Sequence, residues 1–313
     1  MRVKQIIERY FDGTMARIFA GLSEEFLDDV REIRLRVGAP LTLAHKDGEF
    51  AVGKTGCLND GEPFKPEKSQ ILKCVELMGG YSAYAFEEEI RNGYVTLPGG
   101  HRVGMTGKAV VDDGRVKTLR NINSLNVRIS HEAKGCADDV MGFIVSDAQV
   151  LHTMIISPPG RGKTTLLRDM ARQISDGVFG LIEGRSVGIV DERSEIAGCY
   201  MGIPQNDVGE RTDVLDGCPK KEGMLMLLRG MAPSVVVADE IGGEGDAKAI
   251  EEIINGGASI ICTTHGASLT EALKRPSMRK LFKKKIFERF IFLKAPGGVK
   301  DIYDADMKLI TPN

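Results

Sequence analysis

The sequence predicts an α/β fold for the C-terminal half, a mostly parallel sheet with helices on both faces, preceded by a smaller α+β domain. Three observations carry that expectation. After about residue 149, short apolar runs alternate with helical periods, the rhythm of parallel strands buried on both faces. Over 93–130 the pattern is instead strand and turn, with polar and apolar positions alternating. A glycine-rich turn, Ser157-Pro158-Pro159-Gly160-Arg161-Gly162-Lys163-Thr164-Thr165, joins an apolar strand to a helix within the alternating half. The 313 residues suit two domains, each able to bury its own core. The polar stretch 130–135 precedes a helix over 136–147, so the expected division is 1–134 and 135–313.

Residues 1–35 read as helical, with Ser23 as a cap and Glu24 and Glu25 in the first turn of one segment. Glu32-Ile33-Arg34-Leu35-Arg36-Val37 then alternates as a half-buried strand, ended by Gly38 and Pro40. An apolar helix is expected over 67–79, closing at Gly79-Gly80. Strands follow at Tyr94-Val95-Thr96-Leu97, over 101–111, and at Asn126-Val127-Arg128-Ile129, with Asp112-Asp113-Gly114 as a hairpin turn. In the second half, strands are expected over 150–156, 187–190, 235–238 and 259–264. Helices fall over 164–175, 222–231, 246–255 and 268–275, and the tail over 286–303 returns to strands around Pro296-Gly297-Gly298.

Composition narrows the function classes. Ordinary proportions exclude collagen-like and wholly disordered chains. A net charge of -2 gives no general attraction to nucleic acid or anionic membrane, so such affinity needs a local patch. The one dense candidate is Arg279-Lys280-Leu281-Phe282-Lys283-Lys284-Lys285. None of the six cysteines forms a C-x-x-C pair, and residues 1–9 lack the apolar core of a signal peptide. Reduced thiols in a cytosolic protein are expected. No apolar run approaches the ~18–20 residues that span a bilayer.

The glycine-rich turn has the setting of a phosphate-binding loop. Gly160 and Gly162 let backbone N–H groups converge on phosphate oxygens, and the helix N-terminus adds a favourable dipole. Lys163 reaches terminal phosphates and the Thr164 hydroxyl suits Mg²⁺. The strict G-x-x-x-x-G-K-[ST] pattern fails only at its first position, where Ser157 stands for glycine. Downstream, Val235-Val236-Val237-Ala238 ends in Asp239-Glu240. Asp239 suits the Mg²⁺ side and Glu240 the orientation of an attacking water, although a strand ending in two acids is also common as a solvated end. Asp191 and Glu192 end another strand, as catalytic support or as salt-bridge partners of Arg193. His265, in Thr263-Thr264-His265-Gly266, is either a sensor of the terminal phosphate or a capped turn histidine.

With these residues in place, the chain resembles the secretion ATPases of type II and type IV systems and pilus motors. It resembles more closely the stage III sporulation AA family of endospore formers, nearly end to end. The stretch Glu32–Leu41, the arginine-bearing strands Gly100-His101-Arg102-Val103-Gly104 and Asn126-Val127-Arg128-Ile129, and the acidic box beginning at Val190-Asp191-Glu192-Arg193 all fit. Val208-Gly209-Glu210-Arg211-Thr212-Asp213-Val214-Leu215-Asp216-Gly217-Cys218-Pro219-Lys220 is the most distinctive run. Leu228-Arg229 with Pro233 and Glu240 resembles the secretion-ATPase signature, and His265 its histidine box. The chain departs in carrying Asp239 rather than glycine before Glu240, and Gly242-Gly243 where Arg-Asp is usual.

The resemblance implies a RecA-like phosphate-loop core that binds ATP with Mg²⁺ and hydrolyses it in a homo-hexameric ring. Nucleotide would sit between the two domains and near the neighbouring subunit, with Arg102, Arg120 and Arg128 as candidates for transition-state charge and Arg211 as an outside one. It further implies recruitment, through membrane-embedded partners, to the cytoplasmic face of a sporulation channel. Two rivals stay open: a nucleic-acid-dependent ATPase on the same core, for which no nucleic-acid module is evident, and a nucleotide-gated scaffold with little hydrolysis.

Overall fold

The computed structural model describes residues 2–59, 61–79, 90, 93–294 and 298–310. The chain divides into two units, Met1–His131 and Glu132–Asn313, the break falling just before the expected boundary.

The first unit opens with three short helices, α1 (Val3–Tyr10), α2 (Gly13–Phe19) and α3 (Glu24–Asp28). Ser23 caps α3 by accepting from the Phe26 N–H at 3.2 Å. Helix does not continue to residue 35: strand β1 (Val30–Arg36) begins where Val30, Ile33 and Leu35 become buried. β2 (Thr42–His45) and β3 (Gly48–Ala51) follow, then α4 (Lys68–Gly79), β4 (Tyr94–Leu97) and the long pair β5 (His101–Asp112) and β6 (Arg115–Arg128). β6 starts eleven residues before the segment expected at 126, because Asp113 and Gly114 (φ 46° and 73°) close a tight hairpin that pairs both arms. All neighbours in the order β3-β2-β1-β6-β5-β4 are antiparallel. One face supplies Ile33, Leu35, Val103, Leu125 and Val127 to a core shared with Ile6, Phe19 and Ile71 of the helices. Alternation sends Glu32, Arg34, Arg102 and Arg128 to the other face.

The second unit holds α5 (Asp138–Ile144), a small hairpin of β7 (Val145–Ser146) and β8 (Gln149–Val150), β9 (Thr153–Ser157) and α6 (Lys163–Asp176). A second small hairpin, β10 (Gly177–Val178) and β11 (Ile182–Glu183), leads to β12 (Val187–Asp191) and β13 (Thr212–Asp216). Then come α7 (Lys220–Gly230), β14 (Val235–Ala238), α8 (Glu244–Asn255), β15 (Ser259–His265), α9 (Leu269–Ala272), α10 (Pro276–Lys283), β16 (Arg289–Leu293) and β17 (Val299–Asp304). The seven-stranded sheet runs β13-β12-β14-β15-β9-β16-β17, parallel throughout except for β17. Its strands feed two cores: Ile155, Val235 and Val237 pack with α5 and α6, whereas Met154, Ile156 and Val236 pack with α7, α8 and α10. The α/β class with both faces covered is thus the observed one.

Some elements differ from expectation. The helix expected over 268–275 stops at Ala272, and α10 begins afresh with Pro276 at its first turn, where the missing N–H is harmless. The helix expected to reach 147 gives way at Val145 to a hairpin whose turn residues Asp147 and Ala148 have φ of 50° and 57°. β13 lies unannounced within the 208–220 run, because an edge strand with one wet face shows little apolar contrast. Gly80, Pro296 and Gly297 lie outside the described residues. Among the described residues, no helix is long and apolar enough to cross a membrane.

Candidate functional site

The site grows from the strand order. β9, β15 and β14 are neighbours, so their carboxyl ends bring Ser157, His265 and Asp239 to one edge, the usual place for a ligand in such sheets. β9 is buried throughout, and the chain leaves it through Pro158-Pro159 into a turn with Gly160 at φ 71° and Gly162 at φ 82°. Both left-handed residues need glycine, and Gly162 caps α6, so its free N–H groups face the turn. Lys163, the first helical residue, is buried; its ammonium donates to the Ser157 and Pro158 carbonyls at 3.1 and 3.2 Å. Burial pulls the Lys163 pKa down, opposed by the charges of Asp239 and Glu240.

Asp239 is held as a hub. One carboxylate oxygen accepts from the Thr164 hydroxyl at 2.6 Å; the other accepts from the Thr263 hydroxyl and from the Glu240 N–H at 3.0 Å. Glu240 stands at φ 54°, a conformation non-glycine residues avoid, pinned by a further bond from its N–H to Thr263 Oγ1 at 2.9 Å. His265 lies between the two charged groups, with Nδ1 3.0 Å from Lys163 Nζ and Nε2 2.7 Å from Glu240 Oε1. An ammonium can only donate, so Nδ1 accepts and Nε2 carries the proton given to Glu240. The His265 side chain is thus held by two other side chains. The donor pair Thr164 and Asp239 is all oxygen, with one carboxylate, which suits Mg²⁺ completed by phosphate oxygens and water.

The acidic pair at the end of β12 separates into two fates. Asp191 is 2% exposed, and its carboxylate accepts the N–H groups of Glu195, Ile196 and Ala197 at 2.7, 2.9 and 2.8 Å. Burial pushes its pKa up despite those three donors. Its partners are the backbone of its own loop. Glu192 pairs with Lys220, while Arg193 reaches Glu240 Oε2 at 3.0 Å. The ion pairing anticipated for Arg193 with its neighbours is accordingly made with the acid of another strand.

The sequence matches the family described as sporulation stage III, protein AA, over residues 1–310. The chain belongs to that family. Stage III sporulation protein AA of Bacillus subtilis (strain 168) is 39% identical over 301 residues, spanning 95% of this chain and 94% of the relative. Among solved structures, the Yersinia pseudotuberculosis ATPase DotB is similar with a TM-score of 0.58 at 13% identity, over 96% of this chain and 79% of DotB. The pilus retraction motor PilT, solved with bound ADP, has a TM-score of 0.56 at 14% identity, over 100% of this chain and 84% of PilT. These likenesses show that this sporulation-family member shares its fold with DotB and PilT.

In this family member the three candidate arginines of the first unit part company. Arg102 and Arg128 are cross-strand partners; Arg102 lies over the Tyr94 ring at 4.5 Å, and Arg128 is 3.8 Å from Glu32. Arg120 stands farther along the hairpin, opposite Lys108. Arg211 donates to the Ser175 carbonyl at the end of α6 at 3.1 Å, a structural anchor. Two residues escaped the sequence reading. Arg168, four residues beyond Thr164 and so on the same helix face, donates to the carbonyls of Glu195 and Ile196 at 2.7 and 2.5 Å. Arg275 donates to Thr264 Oγ1 at 2.8 Å and lies beside Gly242, so an arginine does flank the post-strand segment, supplied from later in the chain. Within the basic run, Lys280 and Lys284 share Glu251 at 3.1 and 2.9 Å, and Lys285 pairs with Asp306 at 2.6 Å.

Proposed function

We propose that the protein is a motor of the secretion-ATPase type, hydrolysing ATP to ADP and phosphate, and that its turnover assembles or operates the channel between mother cell and forespore. The observation that carries this reading is the convergence of Lys163, Thr164, Asp239, Glu240 and His265 through direct contacts at the end of three parallel strands. Ser157 to Thr165 would cradle the phosphates with their backbone N–H groups, and Lys163 would leave the loop carbonyls for the terminal phosphates. Mg²⁺, held by Thr164 and Asp239, would neutralise charge developing on the phosphate oxygens. Glu240 orients and polarises the attacking water, while His265, which already touches Lys163, reports whether a terminal phosphate is present. Asp191 contributes by shaping the loop that follows it, with Glu192 on the same segment.

Further positive charge would come from Arg102, Arg120 or Arg128 within a homo-hexamer, and recruitment to a membrane's cytoplasmic face from membrane-embedded partners. Pairing of three lysines of the basic run with acids weighs against a nucleic-acid role. The test is phosphate release by the purified protein beside Lys163→Ala and Glu240→Gln. Release by wild type that both substitutions abolish is the expected result; a Lys163→Ala protein that matches wild type would sink the assignment. Nucleotide binding without turnover would favour the scaffold.

A further inference from the structure

The loop after β12 is fastened more firmly than a surface turn requires. On its N–H side the buried carboxylate of Asp191 takes three consecutive amides. On its carbonyl side Arg168, from the helix that starts at Lys163, takes Glu195 and Ile196, and Asn206 Nδ2 adds a second bond to Ile196 at 3.0 Å. Asp191 is buried and Arg168 half-buried, and the loss of water pulls the Arg168 pKa down as it pushes that of Asp191 up. What this loop presents is Arg193. Its side chain is 64% exposed, yet its guanidinium meets Glu240 Oε2 at 3.0 Å, while His265 holds the other oxygen of the same carboxylate.

An exposed ion pair adds little to stability, so folding does not account for this contact. Geometry does. The Glu240 backbone is fixed in a left-handed conformation by Thr263 and Asp239, but its side chain still has free torsions. Two donors approaching from different loops, one on each oxygen, remove that freedom and set the carboxylate plane. We propose that Arg193 is a positioning residue for hydrolysis: it fixes the carboxylate of Glu240 together with His265, and the Asp191–Arg168 clasp exists to deliver it. This rests on the reading that Glu240 orients the attacking water. It links the acidic box to catalysis through its arginine, with Asp191 as the anchor.

The test compares full-length wild type, Arg193→Ala, Arg193→Lys and Lys163→Ala in steady-state ATP hydrolysis with Mg²⁺, alongside affinity for a non-hydrolysable ATP analogue and thermal melting. For Arg193→Ala the expectation is a kcat about tenfold lower, the size of a misplaced catalytic group, with KM and analogue affinity within about twofold of wild type. Arg193→Lys, which keeps the charge that meets one oxygen, should recover most of the loss. The melting temperature should stay within about 2 °C. An Arg193→Ala kcat equal to or above wild type overturns the proposal. So does a matching loss of analogue affinity, which would place Arg193 on the nucleotide, or a kcat loss that Lys does not rescue and that follows a fall in melting temperature. If wild type and Lys163→Ala are indistinguishable, the ATPase reading itself falls and takes this inference with it. If they differ while Arg193→Ala matches wild type, only the inference is lost.

Discussion

Replacing Asp239 with asparagine tests the centre of the site with little disturbance of its shape. The carboxylate receives three hydrogen bonds, from Thr164 on one oxygen and from Thr263 and the Glu240 N–H on the other. The amide oxygen of asparagine can serve the two donors on one side, leaving its NH₂ facing Thr164. The Thr164 hydroxyl must then turn to accept. Exchanging charge-assisted bonds for neutral ones costs about 1–2 kcal/mol, so the protein should still fold. The effect on turnover should be far larger. With the hydroxyl hydrogen no longer drawn to Asp239, Thr164 loses the orientation that leaves its lone pairs for a cation, and the negative charge that favours Mg²⁺ is gone. Removal of one preorganised electrostatic partner typically costs about 3–4 kcal/mol of transition-state stabilisation, or 10²–10³ in rate. Phosphate release followed across a broad Mg²⁺ titration measures it. Asp239→Asn turning over like wild type at every Mg²⁺ concentration would refute the pairing of Thr164 and Asp239 as a cation site.

Other expectations follow from the same geometry. Asp191→Ala strands three amides and should lower stability by about 2–4 kcal/mol in urea unfolding; a midpoint unchanged from wild type would show that the clasp is dispensable. Burial holds the Asp191 carboxyl above its ordinary 3.8, so the folded state favours the protonated form, and this group's contribution is greatest at acid pH and falls as pH rises past 3.8. The stability difference between wild type and Asp191→Asn should therefore shrink in favour of the variant from about pH 4 to pH 7, as read by chemical denaturation. Cys57 is the exposed cysteine, whereas burial pushes Cys74 and Cys136 to about 11 and Cys199 to about 12. A maleimide at about pH 8 should label Cys57 first, and mass spectrometry showing Cys74 or Cys199 labelled at the same rate would contradict the packing.

Much of this site could be read without tertiary information, because its signals are local. Ser157 to Thr165 joins strand, turn and helix within one continuous stretch, where glycine supplies left-handed backbone and Lys163 follows at a set spacing. Val235 to Glu240 is equally local, four buried β-branched or small residues and then two acids. The uncertain residues were those whose neighbours lie far along the chain. His265 meets Lys163 across 102 positions, and whether it idled in a turn depended on that contact. Arg193 looked like a partner for its sequence neighbours, since adjacency is all a sequence offers. Arg168 and Arg275 carried no motif, and β13 carried too little contrast to be seen.

The sequence by itself determined that a glycine-rich turn opens a helix in an α/β half, that two acids end a later strand, and that a smaller α+β unit precedes them. Such features follow from backbone preferences and apolar periodicity over a few residues. Only the tertiary structure decided what each charged group faces. Strand order sets β15 between β9 and β14, and this alone seats His265 between Lys163 and Glu240 and brings Thr164 to Asp239. Order in a sheet is chosen by which apolar faces are buried together, a property of the whole unit. The loop that carries Arg193 to Glu240 is likewise set by the buried carboxylate of Asp191 and the half-buried guanidinium of Arg168, which find their partners in that loop's backbone.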